Sequence, residues 1–376
     1  MPCPSSKRWY DHHVDVRSHE RRAYVGGAYW WTHAVIRGLF SVSAGEPVFC
    51  ASVDEAIAKA GSHDGRLIAW ATRLEPRHEA ECAESEIELV RIEDGFIRSV
   101  GLGAGFTKAA SLAVDPCGMY YDPTRPSAIE DLLQNMTLTD AQLDDGAQIR
   151  RRIVELHLSK YNLKSARSFH VDAGSREIIL VPGQVADDAS VLNAMSATID
   201  VRSDESINLQ LLRLARARNR NAYIIYKPHP DVLSGLRKGQ LGADVARTYA
   251  DLIVSDVDIT DLIEACHGIE TISSLAGFEG LLRGKRVTTH GVPFYSGWGL
   301  TTDLTRAPRR TMRRSIDELT YIAFVLYTRH VHPISGKPCS IHTLLDALHK
   351  QRASRLHEWR TGLLRLYARL CERAAI

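Results

Sequence analysis

Short apolar runs separated by stretches of helical period dominate the chain. Residues 67–71 (LIAWA) and 87–92 (IELVRI) are near-continuous apolar runs that predict buried strands, with residues 79–84 helical between them. Residues 140–158 carry helical periodicity. The polar stretch 170–176 follows, and a domain boundary is expected there. Beyond it the alternation is more regular. Strands are predicted at 177–182, 222–227, 251–255, 269–272 and 286–289, and helices at 208–218, 260–266 and 275–283. Near-continuous strands alternating with helices predict parallel sheets covered on both faces. The expected architecture is α/β: two Rossmann-like domains, 23–170 and 171–330, facing a central cleft. Residues 1–22 are expected to be disordered and 331–376 to form closing helices.

Length agrees with two domains, since 376 residues exceed one ordinary core. The net charge of +2 conceals an asymmetry: residues 301–376 hold 14 Lys/Arg against 6 Asp/Glu, so the preceding 300 sum to −6. A basic tail on a mildly acidic body points to an anionic surface rather than nucleic acid. The seven cysteines are scattered singly without metal-like spacing, which reads as reduced thiols in a cytosolic protein. The first 22 residues lack the apolar run of a secretory signal, and His33 and Arg37 interrupt the apolar stretch 23–41, which is no membrane span.

In open α/β sheets ligands bind beyond the carboxyl ends of strands, and the informative polar residues fall there. Glu93-Asp94-Gly95-Phe96-Ile97-Arg98-Ser99 follows one predicted strand. Gly183-Gln184-Val185-Ala186-Asp187-Asp188-Ala189-Ser190 follows another. Lys227-Pro228-His229-Pro230-Asp231 closes a third, and Ser273-Ser274 stands directly before a helix. The last two suit an anion. Hydroxyls and free N–H groups at a helix start point at negative charge, Lys227 and His229 add cationic donors, and Glu279 is placed to accept from ribose hydroxyls. The same serines also read as plain helix caps, and His229 as packing against Pro230. Glu93-Asp94 before glycine and Asp187-Asp188 in a loop are each ordinary turn chemistry taken alone. One carboxylate site in each half, both at strand ends, changes that reading. Glycosyl transfer with retention uses such a pair, one carboxylate as nucleophile and one as acid/base.

Six stretches resemble the KpsC-like capsule polysaccharide β-Kdo transferases, most closely the carboxyl-terminal module of these usually two-module enzymes. They are RIEDGFIRSVGLGAG with SLAVDPCGMYYDPTRPS, LSKYN, VPGQVADDAS, YKPHPDVLSGLRKG and ISSLAGFEGLLRGKRVTTHGVPFYSGWGLT. The resemblance implies a GT-B-like fold and transfer of Kdo, an acidic eight-carbon sugar, from CMP-Kdo with retention. It implies Asp188 as nucleophile, with Asp187 as its rival, within a pattern that also holds Gln184 and Ser190. Glu93 is implied as acid/base, and Lys227, His229 and Pro230 as holders of the CMP phosphate beside Ser273 and Ser274. Arg98 is a candidate for the Kdo carboxylate, or else pairs with Asp94. No metal and no cofactor beyond the donor are expected.

Implied partners are the nucleotide-sugar donor and a Kdo-bearing, lipid-linked acceptor of capsule or lipopolysaccharide biosynthesis. Leu356, Trp359, Leu363, Leu366 and Leu370 form a one-sided apolar stripe among arginines. It reads either as a closing helix or as attachment to the anionic inner-membrane surface. The expected location is cytoplasmic and peripheral. The rival functions are a non-catalytic capsule export or modification protein that binds the glycolipid, and a GT-B transferase for another nucleotide sugar.

Overall fold

The computed structural model describes residues 21–101, 107–162, 169–233 and 237–354. Its strands are β1 (Ala23–Gly26), β2 (Val48–Phe49), β3 (Arg66–Trp70), β4 (Leu89–Asp94), β5 (Ser111–Asp115), β6 (Ile178–Pro182), β7 (Tyr223–Lys227), β8 (Leu252–Ile253), β9 (Gly268–Thr271), β10 (Arg286–Thr289), β11 (Thr302–Asp303) and β12 (Thr328–His330). They form two six-stranded sheets, in two compact units. One unit is Met1–Met119 with Ser127–Leu163 and Thr320–Ile376; the other is Tyr120–Pro126 with Lys164–Leu319. The α/β class and the two Rossmann-like halves are therefore present.

In the first unit the order is β12-β5-β4-β3-β1-β2. β2, β1, β3 and β4 run parallel, whereas β5 is antiparallel to β4, and β12 is antiparallel to β5. Residues 328–330, which fall in the range 171–330 expected for the second domain, thus pair as an edge strand of this sheet. Asp115, at the end of β5, is wholly buried. It accepts from the N–H groups of Cys117 and Gly118 and from the Tyr327 hydroxyl, and burial pushes its carboxyl up. The helix Asp140–Glu155 starts with a reciprocal Thr139/Gln142 capping box.

In the second unit all neighbouring strands run parallel, in the order β11-β10-β9-β6-β7-β8. Ile179, Val181, Ile224 and Tyr226 pack under Ile207, Leu211 and Leu212 of the helix Ile207–Arg218. Burial on both faces explains why these strands carry no polar alternation.

Among the described cysteines Cys50, Cys82, Cys266 and Cys339 are thiols, whereas Cys117 is disulfide-bonded, contrary to the expectation of uniformly reduced cysteines. No helix among the described residues is long and apolar enough to cross a membrane. The apolar stripe of the basic tail and residues 1–20 of the segment 1–22 expected to be disordered lie outside the described residues, while Arg22 O accepts from Arg66 N at 2.9 Å.

Candidate functional site

In the second unit the chain runs from β6 outward to β7 and β8, then returns past β6 to β9 and β10. The strand order reverses between β6 and β9, the position at which an open α/β sheet forms its ligand crevice beyond the carboxyl ends of the strands. Gln184 follows β6 and Ser273 follows β9, so both stand at this reversal.

Gln184 is buried and engaged through both ends of its amide. Its Oε1 accepts from Thr271 Oγ1 and Ile272 N at 2.9 Å and from Ser273 N at 3.2 Å, while its Nε2 donates to Ser273 Oγ at 3.2 Å. Asn208 pins the same loop: it accepts from Gln184 N–H and donates to the carbonyls of Gln184 and Gly239. Ser273 Oγ donates to the Ser190 carbonyl at 2.8 Å. Gln184 and Ser190 therefore act first on the protein itself, fixing the segment between them.

Asp188 lies in that segment as the N-cap of the short helix Ala189–Leu192. Its Oδ1 accepts from Ser190 N at 2.9 Å and Ser190 Oγ at 2.6 Å. Its Oδ2 has no hydrogen bond among the described residues. Asp187, the neighbouring carboxylate, is instead exposed and pairs with Arg237 Nε at 3.1 Å. The two adjacent aspartates thus have different employments.

Gly183 permits the close approach of the next loop: a Cβ there would stand 2.9 Å from Tyr226 Oη and 3.2 Å from His229 N. Lys227 Nζ donates to the carbonyls of Ser255 (3.1 Å) and Val257 (2.7 Å), and burial lowers its pKa. Two of its three N–H groups hold the loop after β8, leaving one for a ligand. His229 Nδ1 accepts from Asp231 N–H at 3.2 Å, which in the neutral ring places the proton on Nε2. Pro230 begins the turn Pro230–Leu233. Ser274 is the N-cap of the helix Leu275–Leu282: its Oγ accepts from Ala276 N at 3.2 Å, and its carbonyl accepts from Tyr295 Oη at 2.6 Å. Gly277 makes room for that phenol, since a Cβ there would lie 2.3 Å from Tyr295 Oη. Glu279, on the same helix, is buried.

In the first unit Glu93 and Asp94 are the last two residues of β4, paired with Ala113 and Leu112, rather than loop residues beyond the strand. Arg98 is buried. Its Nε pairs with Asp94 Oδ1 at 2.7 Å, and its Nη1 donates to Ser99 Oγ and Thr107 O. Of its two expected roles, the pairing with Asp94 is the one formed. The 98–101 loop is held by Arg98 N to Lys160 O, Gly101 N to Tyr161 O and Asn162 Nδ2 to Ser99 O. Gly95 is forced by contact, because a Cβ would meet Ser111 Oγ at 2.0 Å. Among the described residues no His/Cys/Asp/Glu group is arranged to hold a metal ion.

Sequence reasoning missed Asn208, Thr271 and Tyr295, which orient the crevice from outside the motifs. Asn208 left one signal, a buried polar position at the start of an otherwise apolar helix face.

Residues 67–337 match the family model described as capsule polysaccharide biosynthesis protein. Capsule polysaccharide modification protein LipA of Neisseria meningitidis serogroup A is 38% identical over 330 residues, 88% of this chain and 46% of that protein. The lipopolysaccharide-processing protein LpsZ of Rhizobium meliloti is 39% identical over 268 residues, 70% of this chain and 59% of that one. The chain thus spans about half the length of the curated relatives it matches. Two solved structures from Thermosulfurimonas dismutans are similar, each 30% identical over 88% of this chain. KpsC titled beta Kdo 2,4 transferase has a TM-score of 0.74 and is covered to 98%. KpsC titled beta Kdo 2,7 transferase has 0.68 and is covered to 99%. The matched region takes in the end of β4, both sides of the β6/β9 crevice and the strand that completes the first sheet, and on that match the chain belongs to the capsule polysaccharide biosynthesis protein family.

Proposed function

We propose that the chain is a retaining β-Kdo transferase that takes Kdo from CMP-Kdo and extends a surface glycolipid. What carries the reading is the pair of aspartates after β6. Asp187 is spent on Arg237, while Asp188 is fixed through one oxygen by Ser190 and keeps the other without a partner among the described residues. That is the arrangement a carboxylate nucleophile needs: a set direction and an available lone pair. CMP would lie at the β6/β9 reversal, its phosphate near His229, the remaining N–H of Lys227 and the start of the Leu275–Leu282 helix. CMP leaves as the Asp188 carboxylate bonds to the anomeric carbon; the acceptor hydroxyl then attacks that carbon, the bond to Asp188 breaks to restore the carboxylate, and Glu93 takes the hydroxyl proton. The two similar structures, titled as beta Kdo 2,4 and 2,7 transferases, support the sugar. Incubation with CMP-Kdo and a short Kdo-terminated acceptor, followed by NMR of the product, tests the reading. A β-linked product is expected, and its linkage position separates 2,4 from 2,7 transfer. An α-linked product, or transfer only from another nucleotide sugar, overturns it.

A further inference from the structure

The first unit has a reversal of its own. From β1 the chain runs to β2 at the edge, then returns past β1 to β3 and β4, so the loops after β1 and β3 part at their carboxyl ends. An open hollow of about 420 Å³ lies there, with Gly27 and Tyr29 after β1, Ser52 and Asp54 after β2, and Arg73 and Arg77 after β3 among its lining.

Of the lining residues, Tyr29 carries an aromatic cluster that lies beside the hollow. Trp31 stacks on Tyr29 at 4.6 Å with planes 11° apart, and Trp30, 57% exposed, meets Trp31 edge-on at 5.7 Å. Arg77 is engaged by Asp54 and Glu75. Arg73 has no carboxylate partner among the described residues: its guanidinium lies 5.3 Å over the Tyr29 ring and donates to Tyr29 Oη at 2.9 Å. Gly27 makes this possible. Its φ is +72°, and a Cβ would come within 2.7 Å of Arg73 Cβ.

We propose that this hollow binds a carboxylated sugar ring of the acceptor, its carboxylate on Arg73 within the hollow and its C–H face against the exposed Trp30 beside it. The proposal deepens the transferase reading and rests on it for the word acceptor. The fold places the ring usefully. Tyr29 meets Trp70 edge-on at 5.8 Å, and Trp70 is the register partner of Ile92, the residue before Glu93. β1 and β4 lie two strand spacings apart, about 10 Å, so the loop after β1 and the end of β4 that carries Glu93 open on the same side of the sheet.

Tryptophan-fluorescence titrations of the full chain with the methyl glycosides of Kdo, glucuronic acid and glucose test this. The two carboxylated sugars are expected to bind and glucose not. Trp30→Ala and Arg73→Gln, both at exposed positions, are each expected to weaken binding at least tenfold while leaving CMP affinity unchanged. Equal binding of glucose, no binding of either acid, or full binding by both variants overturns the proposal. If carboxylated sugars bind as expected but CMP-Kdo is never turned over, the donor reading falls and the site stands. If transfer proceeds and both variants keep the acceptor KM of the parent chain, the site falls and the donor reading stands.

Discussion

Ser273 ties down both ends of the Gln184–Ser190 loop, receiving a hydrogen bond from Gln184 Nε2 at 3.2 Å and giving one to the Ser190 carbonyl at 2.8 Å. Asp188 sits between the two attachments. Gln184→Glu keeps the shape, but turns a donor into an oxygen facing Ser273 and adds a negative charge at the proposed phosphate pocket. CMP affinity by calorimetry is expected to fall at least tenfold. Loss of one well-made buried bond also costs about 1–3 kcal/mol of stability, readable in a denaturant midpoint. Unchanged affinity and midpoint would remove Gln184 from the site.

His229→Ala is expected to weaken CMP by about 1.5–3 kcal/mol, the worth of a hydrogen bond to a charged group. Ser274→Ala differs in kind, because its hydroxyl caps a helix. It should lower stability by about 1 kcal/mol as well as CMP affinity. Calorimetry paired with thermal melting separates the two, and a stability loss with intact affinity would make Ser274 a cap alone.

The proposed division of labour between Asp188 and Glu93 predicts different remnants. Glu93→Gln, incubated with CMP-Kdo, should accumulate a Kdo-enzyme visible by intact mass, with the label on the peptide carrying Asp188, because CMP departs readily but deglycosylation lacks its base. Asp188→Asn should show no adduct while still binding CMP. A label on Asp187 would transfer the nucleophile's role by one residue, and full activity in both variants would end the double-displacement reading.

His330 gives the first unit an acid limit. Wholly buried on β12, it places Nε2 2.7 Å from the Phe324 carbonyl and Nδ1 3.1 Å from Ser111 Oγ, and burial first, then Arg329, lowers its pKa to about 4. A folded-state pKa below the unfolded value means that the unfolded chain binds the proton more readily. Stability from this group is complete above the unfolded value near 6.5 and is lost as pH falls toward about 4, roughly 3 kcal/mol in all. The acid slope of a denaturation series over that window should flatten in His330→Gln. An unchanged slope would place the sensitivity elsewhere.

The second unit was largely legible because its strands are buried on both faces. Strands predicted at 177–182, 222–227 and 286–289 are found as Ile178–Pro182, Tyr223–Lys227 and Arg286–Thr289. β1, β2, β5, β11 and β12 were not among the predicted strands; β2, β11 and β12, two or three residues long, are too short to carry a period of their own. Their positions come from pairing with distant strands. Strand ends located the polar loops, but the sequence could not choose between the two roles expected of Arg98, of which the inward pairing with Asp94 is present. The aromatic hollow was missed for a related reason: a reversal of strand order is a property of the sheet, and Tyr29 and Arg73 become neighbours only once β1 and β3 pair.

The late position of β12 sets an order of assembly. A ribosome delivers β1 to β5, then every strand of the second sheet, and only afterwards residues 328–330, which close the free edge of β5. During synthesis at about 5–20 residues per second, the second unit can finish folding while the first still carries an open strand edge. Such an edge is a template for pairing with other chains. Nascent or truncated forms ending between Leu319 and Thr328 should therefore be the aggregation-prone species, needing chaperone cover that the complete sheet does not.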